Sequence, residues 1–187
     1  MRRVRYSVAT SLDGFIAGPN GEYDWIIMDP AIDFGAFFAA FDTVLLGRRT
    51  FELIQRQGAG GRMPGMDTVV LSRTLRPADH PAVTVRSDAV ATVEKLKAQD
   101  GKDIWLMGGG ELFRSLLDAG LVDSIEIGVI PVLLGAGVPV ITGPYAKHAL
   151  KLISSNPLPS GILMLTFEPS TSPRSRRTKR STKKRGR

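Results

Sequence analysis

The stretch Asp103-Ile104-Trp105-Leu106-Met107-Gly108-Gly109-Gly110-Glu111-Leu112-Phe113 changes its hydrophobic period in the middle, and that change sets the fold class. Its first five residues read as a buried strand. After the glycines, Leu112, Phe113, Leu116 and Leu117 fall on one side of a helix that residues 118–120 end. A strand passing straight into a helix through glycine is the joint of an α/β layer structure. The joint recurs upstream. Residues 43–46 form a short apolar strand that runs into a helix over residues 48–56, and residues 68–71 form another that ends in Ser72-Arg73-Thr74. Residues 3–10 open the chain as a strand and turn at Ser11-Leu12-Asp13-Gly14. Pro30 followed by Ile32, Phe34, Phe37, Phe38 and Phe41 predicts a buried helix over 30–41, and residues 58–65 read as a glycine-rich loop. Residues 82–85 make a brief strand. Ser87 or Asp88 caps a helix reaching about residue 99, with Val90, Val93 and Leu96 on one face. Residues 122–132, 149–154 and 162–167 are late strands, the last two pairing antiparallel. The expected fold is therefore α/β, a central mainly parallel sheet with antiparallel C-terminal strands and helices on both faces.

Composition narrows the function. The 187 residues carry 25 Lys+Arg against 18 Asp+Glu, a net charge of +7, and no cysteine. A disulfide framework, a thiolate nucleophile and a Cys-ligated metal are excluded, and with only His80 and His148 we expect no metal centre. No run approaches the roughly 20 apolar residues of a membrane span, and the cytoplasm is the expected location. Nine basic and no acidic residues lie between Arg174 and Arg187; without them the balance is −2. Residues 169–187 have no aliphatic or aromatic side chain, so we expect a domain over 1–168 followed by a disordered basic tail. The tail serves either as a solubilising extension or for contact with nucleic acid.

In parallel sheets ligands bind beyond the carboxyl ends of the strands. Three such ends here carry anion-binding chemistry. Gly108-Gly109-Gly110 offers close backbone approach at a helix N-terminus; Gly47-Arg48-Arg49-Thr50 adds guanidiniums and a hydroxyl at a second; Ser72-Arg73-Thr74 repeats the pattern. Alone, the glycine turn reads equally as a packing turn, and each arginine reads more readily as a solvated charge than as a ligand. Together they point to one extended, multiply phosphorylated ligand such as a dinucleotide, and the arginines favour NADP over NAD. Asp13, Asp29 and Asp33 are candidate proton donors, each also readable as a turn or cap residue, and Trp25 as a pocket wall.

In their order and spacing, Val8-Ala9, Ser11-Leu12-Asp13-Gly14-Phe15-Ile16-Ala17, Leu46-Gly47-Arg48-Arg49-Thr50-Phe51-Glu52, Val70-Leu71-Ser72-Arg73, Gly108-Gly109-Gly110-Glu111-Leu112-Phe113 and Pro131-Val132-Leu133-Leu134-Gly135-Ala136-Gly137-Val138-Pro139 form one series. That series resembles the dihydrofolate reductase-like superfamily, and more closely the C-terminal reductase domain of the bifunctional riboflavin-biosynthesis deaminase/reductase, in stand-alone form. The resemblance implies NADPH as cofactor, held by Gly47, Arg48 and Thr50, by Leu71, Ser72 and Arg73 at the 2′-phosphate end, and by Gly108, Gly109, Gly110, Glu111 and Leu112, with a cis peptide between the first two of those glycines. It places the nicotinamide at Ala9 and Ile16 and the small-molecule substrate at Ser11, Asp13 and Gly14; beside these, the residues themselves offer Trp25 as a substrate-site wall and Asp13 or Asp33 as the catalytic contact. It implies a homodimer and reduction of a C=O or C=N carbon, with 5-amino-6-(5-phosphoribosylamino)uracil as the pathway substrate. Phe113 stands where dihydrofolate reductases often have Tyr, and no Pro-Cys-x-x-Cys of a zinc deaminase occurs. A dihydrofolate reductase proper, and a non-catalytic nucleotide-binding protein whose tail docks on nucleic acid, are the alternatives.

Overall fold

The computed structural model describes residues 1–56, 58 and 60–170. Ten strands and four α-helices follow in the order β1 Val4–Ser11, β2 Phe15–Ala17, α1 Phe34–Ala39, β3 Phe41–Gly47, α2 Arg48–Arg56, β4 Asp67–Leu71, β5 Thr84–Arg86, α3 Ala89–Lys97, β6 Asp103–Gly108, α4 Gly110–Asp118, β7 Ser124–Ile130, β8 Val138–Pro139, β9 Leu150–Pro157 and β10 Leu163–Pro169. Eight strands form one sheet in the order β5-β4-β3-β6-β1-β7-β10-β9, and β2 pairs with β8 in a small separate ladder. The strands from β5 to β7 are parallel; β10 and β9 close the sheet antiparallel. This is the expected fold.

Period-2 alternation divides the sheet's side chains between two cores. Val4, Tyr6, Leu45, Val69, Ile104 and Leu106 pack beneath α3 and α4, against Val93, Leu112, Phe113 and Leu116. Val44, Leu46, Val70, Val85 and Trp105 point to the other side, where Phe51 of α2 and Phe37 of α1 meet them. Helices thus cover both faces. Asp88 caps α3 by accepting from Ala91 N at 3.0 Å. Buried Lys97 ends that helix on Asp123, whose carboxylate also accepts from Val4 N at 2.7 Å, tying α3 to the β1–β7 edge.

Three expectations change. The predicted buried helix over 30–41 is a six-residue helix, α1, with no buried residue. Phe41 belongs to β3, and Asp33 is the N-cap, accepting from Ala36 N at 2.8 Å. The phenylalanines of α1 line a cleft, and Phe37 also packs on the core beside Phe41 and Trp105. The β2 and β8 strands, three and two residues long, are too short to show a period. Pro169 still pairs, with Leu150, and Ser170 N donates to Ala149 O at 2.8 Å; the rest of the expected tail, 171–187, lies outside the described residues. Among the described residues no helix is long and apolar enough to cross a membrane.

Leu116 is fully buried between α4 and the sheet, whereas Leu133 is 68% exposed. Leu116→Ala should lower the unfolding free energy by about 2–5 kcal/mol and Leu133→Ala by less than about 0.5 kcal/mol, read from urea titrations.

Candidate active site

One cleft of about 1800 Å³ runs across the C-terminal ends of the parallel strands and over the α1 side of β1 and β7. A single drug-sized ligand fills roughly 300–1000 Å³, so this cleft has room for two ligands side by side. Its two ends differ in chemistry.

The polar end is built from the three strand-to-helix junctions. Gly47, Arg48, Arg49 and Thr50, then Leu71, Ser72 and Arg73, then Gly109, Gly110, Glu111 and Leu112 all line the cleft. The Gly108–Gly109 peptide is cis, as the resemblance implied. Gly109 caps α4 without any side chain, so the first N–H groups of that helix face the cleft as free donors. A Cβ on Gly110 would stand 2.8 Å from Pro139 O and 3.0 Å from Val140 O, so only glycine lets the helix start there. These junctions fit a pyrophosphate-bearing ligand: free N–H donors, small residues beside them and guanidiniums at the edge. Ser72 has a structural task as well. Its hydroxyl accepts from Thr74 N and Leu75 N, both at 3.2 Å, so it shapes the turn that presents the exposed Arg73. Arg48 is paired with Glu52 one turn on, at 2.9 Å.

The other end is apolar above and polar below. Ile26, Ile27, Met28, Ile32, Phe34, Phe37 and Phe38 form the roof and rim, and Trp105 and Met107 a side wall. The Phe37 and Trp105 rings meet edge-on at 5.3 Å. Ala9 and Ile16 line the middle of the cleft as expected; Ser7, Glu126, Gly128 and Met164 form the floor.

Several expected site residues are not among those lining the cleft. Asp13 accepts from Ser11 Oγ at 2.6 Å, Gly135 N at 2.7 Å and Leu134 N at 3.2 Å, latching the β1–β2 turn to the loop over 131–137. The Ser11 hydroxyl and those backbone N–H groups hold its carboxyl below the usual range. Asp33 caps α1. Ser11 and Gly14 belong to the Asp13 turn, and Trp25 donates to Glu22 O at 3.1 Å; Trp105 takes the walling role proposed for Trp25. Asp29 is buried, accepting from Ala31 N and Ser160 N, and joins the roof to the β9–β10 turn. Sequence reading missed Arg114, Ser7 and Glu126. Arg114 follows Gly110 by four residues on α4, a spacing that marks the same helix face. It holds Pro144 O at 2.9 Å while its buried Nε has no partner. Ser7 and Glu126 give no signal until β1 and β7 pair.

A parallel sheet with glycine- and arginine-bearing turns at its strand ends and an aromatic slot beside them defines a reductase-like α/β domain. Residues 2–164 match the model of the RibD C-terminal domain, and the chain belongs to that riboflavin-biosynthesis family. It is 34% identical over 177 residues to the uncharacterized protein YyaP of Bacillus subtilis, covering 89% of this chain and 94% of that one. With the riboflavin biosynthesis protein RibD of Corynebacterium ammoniagenes identity is 27%, over 77% of this chain and 47% of the relative, so the chain spans about half the length of that protein. The crystal structure of a putative riboflavin biosynthesis protein from Shewanella sp. PV-4 superposes with a TM-score of 0.75 at 25% identity, covering 91% of this chain and all of the other. A Thermotoga maritima deaminase/5-amino-6-(5-phosphoribosylamino)uracil reductase, 18% identical, shares the fold with a TM-score of 0.65 over 90% of this chain and 57% of that one.

Because its folded pKa is lowered, the Asp13 latch contributes stability above the ordinary carboxylate pKa and loses it as pH falls through the lowered value. Asp13→Asn should therefore melt at a lower temperature than the parent at pH 7, with the gap closing as the pH falls below the ordinary carboxylate range; thermal unfolding at neutral and at acid pH measures it.

Proposed function

We propose that this chain is an NADPH-dependent reductase acting on a small polar substrate, with 5-amino-6-(5-phosphoribosylamino)uracil or a close analogue as the acceptor of hydride at a C=O or C=N carbon. One observation carries the reading: a single cleft joins three anion-binding strand ends to an apolar slot of ring-stacking residues. The polar end suits a dinucleotide's phosphates and the slot suits the meeting of two flat rings. When bound, the nicotinamide supplies the hydride. The chain's own residues do the rest. The α4 N-terminus and Gly47 turn bind the pyrophosphate side, Arg73 with Arg48 or Arg49 draws the 2′-phosphate, and Ala9 and Ile16 set the depth of the nicotinamide. Phe34, Phe37 and Trp105 orient the substrate ring and keep bulk water off the reacting face. With Asp13 and Asp33 engaged outside the lining, water at the exposed Ile27–Met28 rim delivers the proton that the substrate heteroatom takes up.

The same reading includes a homodimer. Every residue of the edge strand β9 is exposed, Leu150, Leu152 and Ile153 among them. An unpaired apolar edge invites an identical edge across a two-fold axis. Light scattering should return about twice the 20.3 kDa chain mass; a single-chain mass would remove the dimer from the proposal.

NADPH binding, followed by its fluorescence, tests the main reading. Arg73→Ala should weaken NADPH by about tenfold, the loss of one charge-assisted hydrogen bond, while NADH binding stays unchanged. A folded protein that leaves NADPH fluorescence unaltered at millimolar cofactor would refute the proposal.

A further inference from the structure

The floor of the apolar slot is polar in one direction only. Ser7 of β1 and Glu126 of β7 are register partners, and both line the cleft. They lie one row below the Ala9–Gly128 pair, about 7 Å along the strands, where a substrate ring beside the nicotinamide would rest. Glu126 is held from four directions. Arg5 Nε reaches Oε1 at 2.7 Å and Arg5 Nη2 reaches Oε2 at 2.9 Å, while Ser124 Oγ donates to Oε1 at 3.1 Å and Ser7 Oγ to Oε2 at 3.0 Å. Burial works to raise the Glu126 pKa, but the Arg5 hydrogen bonds and charge, with the two serines, outweigh it and hold the carboxyl below its usual range.

An ionised carboxylate only accepts, so the single hydrogen of Ser7 is committed to Glu126. What the hydroxyl offers the slot is its lone pairs. The side wall adds no donor, because the Trp105 indole N–H is taken by Ser7 O at 3.0 Å. Arg5 is not among the residues lining the cleft; its guanidinium is held by Glu126, with Nη1 3.5 Å from Asp103 and its carbon 4.7 Å over the Phe41 ring. The charges beneath the slot, one cation and two carboxylates, sum to −1. A ligand N–H meets an acceptor there; a ligand carbonyl meets another acceptor with no hydrogen between them.

We propose that Ser7, oriented by Glu126, is a specificity-determining residue that selects an exocyclic amino group on a planar pyrimidine. The assignment rests on the reductase reading of the cleft. Glu126 is the positioning residue: it fixes which way the Ser7 hydrogen points. The Glu126→Gln amide can donate to Ser7, releasing the serine hydrogen toward the slot and removing the preference.

The test compares 5-aminouracil with thymine and 6-aminouracil with 6-methyluracil, pairs that exchange an amino group for a methyl of similar size. Calorimetric titration of the parent protein, with and without NADPH, should show at least one amino compound binding about tenfold more tightly than its methyl partner. Ser7→Ala and Glu126→Gln should each bring that ratio close to one, with NADPH binding unchanged. Equal affinities in both pairs for the parent overturn the inference, as does a preference that survives in folded Glu126→Gln or Ser7→Ala protein. NADPH fluorescence on the same samples separates the two ideas. An amino preference without NADPH binding supports the selector and refutes the reductase; NADPH binding without an amino preference does the reverse.

Discussion

The contact at Gly110 is the constraint on which the rest of the molecule depends. Helix α4 begins against the carbonyls of Pro139 and Val140 with no space for a side chain. Those carbonyls belong to the segment that pairs as β8 with β2, and Val140 N donates to Gly14 O at 2.9 Å. Just inside, Phe113 of the same helix stacks on Tyr6 at 3.8 Å and 7° between planes, and the Tyr6 hydroxyl donates to Val140 O at 3.1 Å. Helix, central strand and late loop are thus fixed to one another by a single backbone approach and one aromatic pair. Free N–H groups at the start of α4 are aimed into the cleft because this packing leaves the helix no other orientation.

The cleft divides its work by material. In the function proposed above, phosphates would be met by backbone at strand ends, where position is set by sheet register and survives changes of side chain. The substrate would be met by side chains on the sheet face and by α1, a six-residue helix with no buried residue of its own. The first part is rigid by construction. The second depends on what fills it, since aromatic rings that face open space gain their burial only when a ligand covers them. An enzyme family can keep one cofactor end and change its substrate by altering only the second part.

Much of this was legible in the sequence for identifiable reasons. Glycine beside an abrupt change of period marked the starts of α2 and α4, and short continuous apolar runs marked β3, β4 and β6 as strands buried on both faces. Those same features carried nearly all of the polar end. The rest was hidden by physics that no local window contains. Phe34, Phe37 and Phe38 have the composition of a core helix, and only the tertiary structure shows that they face a cavity. Asp13 and Asp33 have the right chemistry for a proton donor, yet nearby N–H groups claim their carboxylates. Ser7 and Glu126 are separated by 119 residues, so their pairing exists only after the parallel crossover is complete.

Strand β1 lies at the centre of the sheet, precedes every other element in the chain, and pairs with two strands that come roughly 100 and 120 residues later. At about 5–20 residues per second, a growing chain therefore carries Val4 and Tyr6, both fully buried in the finished fold, for roughly 6–24 s before β7 exists to cover their edge. The half of the sheet formed by β3 and β4 can associate much earlier. Nascent chains would thus pass through a stage in which one helix-backed half waits for the strand that later joins the two halves.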